Sequence, residues 1–228
     1  MIRSSAKEIH FGVSESAGVV SGLLLKPTGA RSLLVLAHGA GAGMRHRFME
    51  EMCRKLAHLG VATLRYQFPY MEKRTKRPDP EAVLTATVRA AIATARKHSN
   101  GLPVFAAGKS MGGRMTSLAA AREPLNGVSG LIFFGFPLHQ AGNPSADRGR
   151  HLFEVKVPML FLQGSRDSLA HLKLLKPVCA RLGGRADLFV IDSADHSFHM
   201  LKSAGRSDDE VLGEAAHKVA SWTSRFVA

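Results

Sequence analysis

The amino-acid sequence predicts an α/β fold: a mostly parallel sheet of eight strands, helices on both faces, no large cap domain, and one domain over residues 1–228. Three observations carry this expectation. Short apolar runs rich in β-branched residues alternate with longer stretches of helical period, and Gly, Pro or Asp sits at most junctions, as βαβ units require. The link 14–17 between the first two candidate strands, 7–13 and 18–25, permits a hairpin and is too short for a parallel crossover. Segment 135–156, which carries Pro137, Gly142, Pro144 and Gly149, is too short for a multi-helix cap, so a site beside it is open or covered only by loops.

The elements follow in order. After the hairpin comes a fully apolar strand over 33–37, a glycine-rich loop, a helix over about 45–59 and a strand over 61–65. Asp79-Pro80-Glu81 reads as a helix start, with a capping carboxylate, proline at the first helical position and an acid in the first turn. Val83, Leu84, Val88, Ala91, Ile92 and Ala95 then share one face at helical spacing. A strand over 103–107, a helix over 111–122 and strands over 130–134 and 158–162 continue the alternation. A helix over about 169–182, a strand over 187–191 and a last helix over about 208–226 complete it, the last with Val211, Leu212, Ala215, Val219, Trp222 and Phe226 on one side. No repeat, low-complexity tract or interdomain linker interrupts the pattern.

Composition narrows the partners. With 31 Lys and Arg against 18 Asp and Glu the formal charge is +13, a statement about partners and solubility and not about fold. The cations are spread from Arg3 to Arg225, which argues against a dedicated face for nucleic acid. The run Lys73-Arg74-Thr75-Lys76-Arg77 reads as a solvated loop without a nucleic-acid fold motif around it. Cys53 and Cys179 have no paired spacing and read as buried free thiols of a reducing compartment. The N-terminal residues lack an apolar signal region and no run approaches the ~18 apolar residues of a spanning helix, so the expectation is a cytoplasmic protein with no membrane partner.

Gly108-Lys109-Ser110-Met111-Gly112-Gly113 follows a strand and opens a helix, the context in which G-x-S-x-G becomes a nucleophile elbow. A serine hydroxyl is a weak nucleophile unless it is exposed, oriented and beside a base. The sharp turn lifts its oxygen clear of the backbone, and the helix N-terminus places a positive dipole where oxyanion charge develops. An acid, Asp167, follows the strand over 158–162 within Gln163-Gly164-Ser165-Arg166-Asp167, and a base, His196, follows the last strand. Both leave the sheet edge that carries Ser110, in the chain order serine, acid, histidine. The loop His38-Gly39-Ala40-Gly41-Ala42-Gly43 can turn backbone N–H groups toward an oxyanion, with Ala40 and Met111 as the expected donors.

At these motifs the sequence resembles the compact α/β-hydrolase-fold proteins related to dienelactone hydrolases, nearest to the testis-expressed hydrolase-like protein and the hydrolase-like subunit of the non-specific-lethal chromatin complex. Phe68-Pro69-Tyr70-Met71-Glu72 and Phe136-Pro137-Leu138-His139 also look like that group. The resemblance runs from about residue 31 to the C-terminus and implies a triad of Ser110, Asp167 and His196. Dienelactone hydrolases use a cysteine nucleophile, so the serine departs from their specific activity.

Competing roles stay open at this point. Asp192 rivals Asp167 as the acid, Asp195 reads as a loop cap, and His199 rivals His196. His38 reads as a structural histidine bonding backbone at a strand end. Lys109 is either a solvated or ion-paired side chain or a charge that favours anionic acyl substrates. Gly39, Phe68, Tyr70, Lys109, Phe136 and Leu138 are the candidate pocket. The expected reaction is hydrolysis of a carboxylic ester or thioester through an acyl-enzyme, on a small-molecule substrate and without metal or organic cofactor. Peptidase and perhydrolase chemistry are variants of it, and the rival of another class is a catalytically silent scaffold.

Overall fold

The computed structural model describes residues 6–75 and 77–227; residues 1–5, which open the N-terminus read above, Lys76 of the basic run and Ala228 lie outside the described residues. The strands are β1 (Lys7–Ser14), β2 (Gly18–Leu25), β3 (Ser32–Ala37), β4 (Val61–Tyr66), β5 (Val104–Lys109), β6 (Val128–Phe134), β7 (Met159–Gly164) and β8 (Ala186–Ile191). They form one sheet in the order β1-β2-β4-β3-β5-β6-β7-β8. β2 pairs antiparallel with both β1 and β4, and every other pairing is parallel.

The helices are α1 (Arg47–His58), the single-turn α2 (Pro69–Glu72), α3 (Glu81–Ser99), α4 (Met111–Arg122), α5 (Leu172–Leu182) and α6 (Asp208–Ser224). A strand's side chains alternate between faces, and β3 divides accordingly. Leu33, Val35 and Ala37 pack in one core with Leu84 and Val88 of α3, Met115 of α4 and Leu175 of α5. Leu34 and Leu36 pack in the other with Phe48, Met52 and Leu56 of α1 and Val211, Ala215 and Trp222 of α6. Covered on both sides, the central strands can be apolar throughout, which is why 33–37 shows no alternation. Phe133 and Phe161 meet with ring centroids 4.8 Å apart in the first core, and truncating either to Ala costs ~3–5 kcal/mol by analogy with other buried aromatics.

Three expectations change in detail. Asp79 does not cap α3. That helix begins at Glu81 with Pro80 as its N-cap, while the Asp79 carboxylate accepts the Tyr70 N–H of α2 at 2.7 Å. α5 starts at Leu172 and not near 169, because its approach is already held: Asp167 Oδ1 accepts the Leu169 N–H at 2.7 Å and His139 Nε2 accepts the His171 N–H at 3.1 Å. β5 runs on to Lys109, so the strand delivers its last side chain directly beside Ser110. Segment 135–156 forms no cap. It contains a 3-10 helix, Asp147–Glu154, whose Leu152 is buried in the α3–α5 core. Cys53 and Cys179 are free and buried. No helix among the described residues is long and apolar enough to cross a membrane.

Candidate active site

The turn from β5 into α4 holds Ser110 at φ 51°, ψ −117°, a left-handed conformation that a non-glycine residue adopts at a cost. Close packing forces it. A Cβ on Gly108 would overlap the Gly112–Gly113 peptide, and one on Gly112 would lie 2.5 Å from the Ala37 carbonyl oxygen. Both glycines are therefore fixed by contact between β3, β5 and α4, and Ser110 projects from the carboxyl edge of the sheet.

His196 Nε2 lies 2.8 Å from Ser110 Oγ and His196 Nδ1 lies 2.7 Å from Asp167 Oδ2. A carboxylate only accepts, so Nδ1 carries the ring proton and Nε2 is free to accept from the hydroxyl. Asp167 is 2% exposed, and its charge is met from three sides: His196, the Leu169 N–H on Oδ1, and the Gln163 amide, which donates to Oδ2. Gln163 Oε1 accepts the Phe136 N–H at 3.0 Å, so this buried amide is oriented at both ends. In the motif over 163–167 the signal for Gln163 is a polar side chain at the end of an apolar strand.

The loops that carry Asp167 and His196 are stitched together by backbone. Arg166 N–H donates to the Ala194 carbonyl at 2.9 Å, and Ser165 N–H to the Ile191 carbonyl at 3.0 Å. The rival acid Asp192 is turned away, accepting from Ser165 Oγ at 2.9 Å on the exposed side. Asp195 is a loop cap, accepting the N–H groups of Ser197 at 2.7 Å and His199 at 2.9 Å. His199 pairs with Asp208 at 2.7 Å and does not reach Ser110.

The loop after β3 is held by three side-chain contacts. His38 Nε2 accepts the Phe68 N–H at 3.1 Å, so its Nδ1 donates to the Gly39 carbonyl at 2.7 Å. Burial pulls the His38 pKa down to about 4, and the ring stays neutral. Gly41 N–H donates to the Tyr70 hydroxyl at 2.9 Å, and Ala42 N–H to the Gly39 carbonyl at 3.2 Å. Among the described residues the Ala40 and Met111 amides have no protein acceptor, the state an oxyanion donor needs.

An open cavity of about 390 Å³ lies over Ser110 and His196. Gly39, Ala40 and Lys109 line it, and Phe48 and Met49 of α1, Phe198 of the loop after β8 and Leu212 of α6 supply its apolar wall. The expectation that Phe68, Tyr70, Phe136 and Leu138 line a pocket is corrected: all four are buried in the α3–α5 core. Segment 135–156 folds down onto α4, carrying Phe136 and Leu138 inward, and Tyr70 is occupied with the Gly41 loop. Among the described residues no three His, Cys, Asp or Glu side chains cluster as a metal site requires.

Lys109 is half-buried and pairs with no carboxylate among the described residues. Its ammonium donates to the His196 carbonyl and lies 5.6 Å from the Phe48 ring centroid and 5.1 Å from that of Phe198. Burial lowers its pKa to about 8.

An eight-stranded sheet with one antiparallel strand, a serine on a strained strand-to-helix turn and no cap define the α/β-hydrolase class. The chain belongs to the alpha/beta hydrolase domain family, whose sequence model matches residues 30–224. It is 29% identical over 187 residues to a Mycobacterium tuberculosis protein provisionally named a phosphoribosyl transferase, covering 78% of this chain and 39% of that protein. The chain thus spans about two fifths of the length of the curated relatives it matches. Among solved structures it is similar to a dienelactone hydrolase from Anabaena variabilis, with TM-score 0.76, 22% identity and coverage of 98% of this chain and 100% of that one. A serine hydrolase without a lid from Xanthomonas campestris gives TM-score 0.73, 19% identity and coverage of 96% and 95%. Est1E from Butyrivibrio proteoclasticus gives 0.70, 17%, 97% and 100%.

Proposed function

We propose that this chain is a serine hydrolase that cleaves carboxylic esters or thioesters through an acyl-enzyme. The observation that carries the reading is the unbroken line Asp167–His196–Ser110, closed at 2.7 and 2.8 Å and opening onto the cavity. His196 Nε2 takes the hydroxyl proton as Ser110 Oγ attacks the carbonyl, while Asp167 keeps the ring in the useful tautomer and stabilises the imidazolium. The Ala40 and Met111 amides receive the oxyanion, each worth ~3 kcal/mol of barrier in comparable sites. His196 then gives its proton to the leaving group, and water repeats the sequence on the acyl-enzyme.

The apolar wall of Phe48, Met49, Phe198 and Leu212 suits a small acyl substrate of moderate chain length. The buried free thiols Cys53 and Cys179 suit a reducing, cytoplasmic setting. Within the family we place the chain beside the testis-expressed and non-specific-lethal-complex hydrolase-like proteins, on the motifs quoted above.

The test is a fluorophosphonate probe read by intact mass. One adduct on the native chain, absent from Ser110→Ala, is expected and justifies an ester and thioester screen. A well-folded chain that takes no adduct overturns the enzyme reading in favour of a silent scaffold.

A further inference from the structure

The base His196 is held by its ring to Asp167, but a ring is only as well placed as the main chain that carries it. That main chain is gripped from the nucleophile's side. Lys109, the residue before Ser110 and the last of β5, reaches across the cavity floor and donates to the carbonyl of His196 itself. Its ammonium rests against Phe48 of α1 and Phe198, whose rings stack at 5.9 Å and 17°. Phe198 holds φ 65°, which a bulky residue adopts only when its surroundings compel it. Gly135, after β6, leaves room for the arrangement: a Cβ there would lie 3.1 Å from Lys109 Nζ and 3.2 Å from the His196 carbonyl oxygen. Three separate segments thus converge on the ammonium that β5 carries.

We propose that Lys109 is a positioning residue for the reaction, a cationic tie that fixes the main chain of the base His196 against the nucleophile Ser110. The proposal rests on the serine-hydrolase reading above. It differs from anion recognition, because the ammonium is spent on a protein carbonyl and two aromatic faces. A buried cation binds a carbonyl and aromatic faces strongly only while it is charged.

The charges around it give no substitute partner. Asp167 engages His196, and Asp195 accepts two backbone N–H groups of its own loop. On α1, Arg47 pairs with Glu51 at 2.8 Å and His46 Nδ1 accepts the Phe48 N–H at 3.2 Å. On α6, Asp208 pairs with His199 and Asp209 with Lys55, each at 2.7 Å. Burial brings the Lys109 pKa down to about 8, so the tie is charged at neutral pH and weakens above pH 8.

The experiment compares the native chain with Lys109→Met and Lys109→Arg on a neutral aryl butyrate and on the matching aryl hemisuccinate, after fluorophosphonate labelling of Ser110 and a thermal melt. For Lys109→Met the expectation is a fall in kcat of roughly 10- to 100-fold on both esters, with KM within about threefold, as for loss of orientation. The native kcat is expected to decline above pH 8. In Lys109→Arg, whose guanidinium keeps its proton, that alkaline decline disappears. The low-field Nδ1–H resonance of His196, read without substrate, is expected to broaden in Lys109→Met.

Turnover and resonance both unchanged in Lys109→Met overturn the proposal while leaving the hydrolase reading intact. A loss confined to the hemisuccinate and expressed in KM overturns it in favour of anion recognition. No Ser110 adduct on the native chain removes the hydrolase reading and the proposal with it.

Discussion

At the carboxyl edge of the sheet Ser110 Oγ and His196 Nε2 stand 2.8 Å apart; about two turns further along α4, Ser117 Oγ and His151 Nε2 stand 2.7 Å apart. Distance is all the two pairs share. Ser117 lies within the helix and is fully buried, and its single hydroxyl proton is contested by the Arg114 carbonyl at 2.9 Å. His151 faces no carboxylate among the described residues; its neighbour is cationic Arg114, and burial together with that charge lowers its pKa to about 4. Ser110 has the reverse of each condition: a strained turn that exposes it, a histidine oriented by a buried carboxylate, and beside it amides without a protein acceptor among the described residues. A serine–histidine contact is therefore a packing element by default. It becomes a nucleophile when an acid fixes the tautomer and a cavity admits a carbonyl.

Substituting each serine breaks or confirms this contrast most directly. Ser110→Ala is expected to remove the fluorophosphonate adduct and lower turnover by on the order of 10⁴-fold or more. Ser117→Ala keeps the adduct, with turnover within about twofold. An adduct lost in Ser117→Ala and kept in Ser110→Ala would invert the assignment. Next in size, Asp167→Asn presents the wrong tautomer to Ser110 and is expected to lower kcat by up to ~10⁴-fold with the fold intact by circular dichroism. Native turnover in that variant would return the acid role to another residue. Gln163→Leu leaves Asp167 in place but removes one of the two donors to its Oδ2 and orphans the Phe136 N–H, so kcat is expected to drop about tenfold, measured with the same ester.

The smallest effect is on stability and concerns the inert histidine. His38 and His151 both hold pKa values lowered to about 4, below the 6.5 of an unfolded chain. Between these values the unfolded state binds protons that the folded state does not, so stability is full above pH 6.5 and falls as pH drops toward 4. The unfolding midpoint is expected to decline by on the order of 5–10 °C across that window. His151→Gln removes part of the slope without changing turnover at pH 7.5; a variant whose midpoint follows the native curve would show that His151 does not contribute.

The elements that bond order and turn chemistry dictate were legible in the sequence. The eight strands, the hairpin that sets β2 against its neighbours, and the positions of Ser110, Asp167 and His196 at strand ends follow from local pattern and chain order. The cavity was not legible, for a physical reason. Phe68 and Phe136 follow strand ends as a pocket residue would, but whether a loop folds outward or down onto α4 is decided by tertiary packing. The true wall, Phe48, Met49 and Leu212, belongs to the apolar faces of α1 and α6, where a cavity residue and a core residue have the same spacing. Asp79 shows the same limit: its carboxylate satisfies an N–H nine residues back instead of the helix it precedes.

The contact of Gly108 and Gly112 with β3 and α4 bears on how this chain can diverge. Neither position accepts a further carbon, so the reactive atom cannot migrate along the chain by single replacements. The Cβ direction at 110 is set by the backbone alone, however, and an exchange of oxygen for sulfur on that carbon leaves every contact of the turn in place. Packing at Gly108 and Gly112 thus fixes where residue 110 projects, while it constrains neither the atom carried on its Cβ nor the lining contributed by α1 and α6.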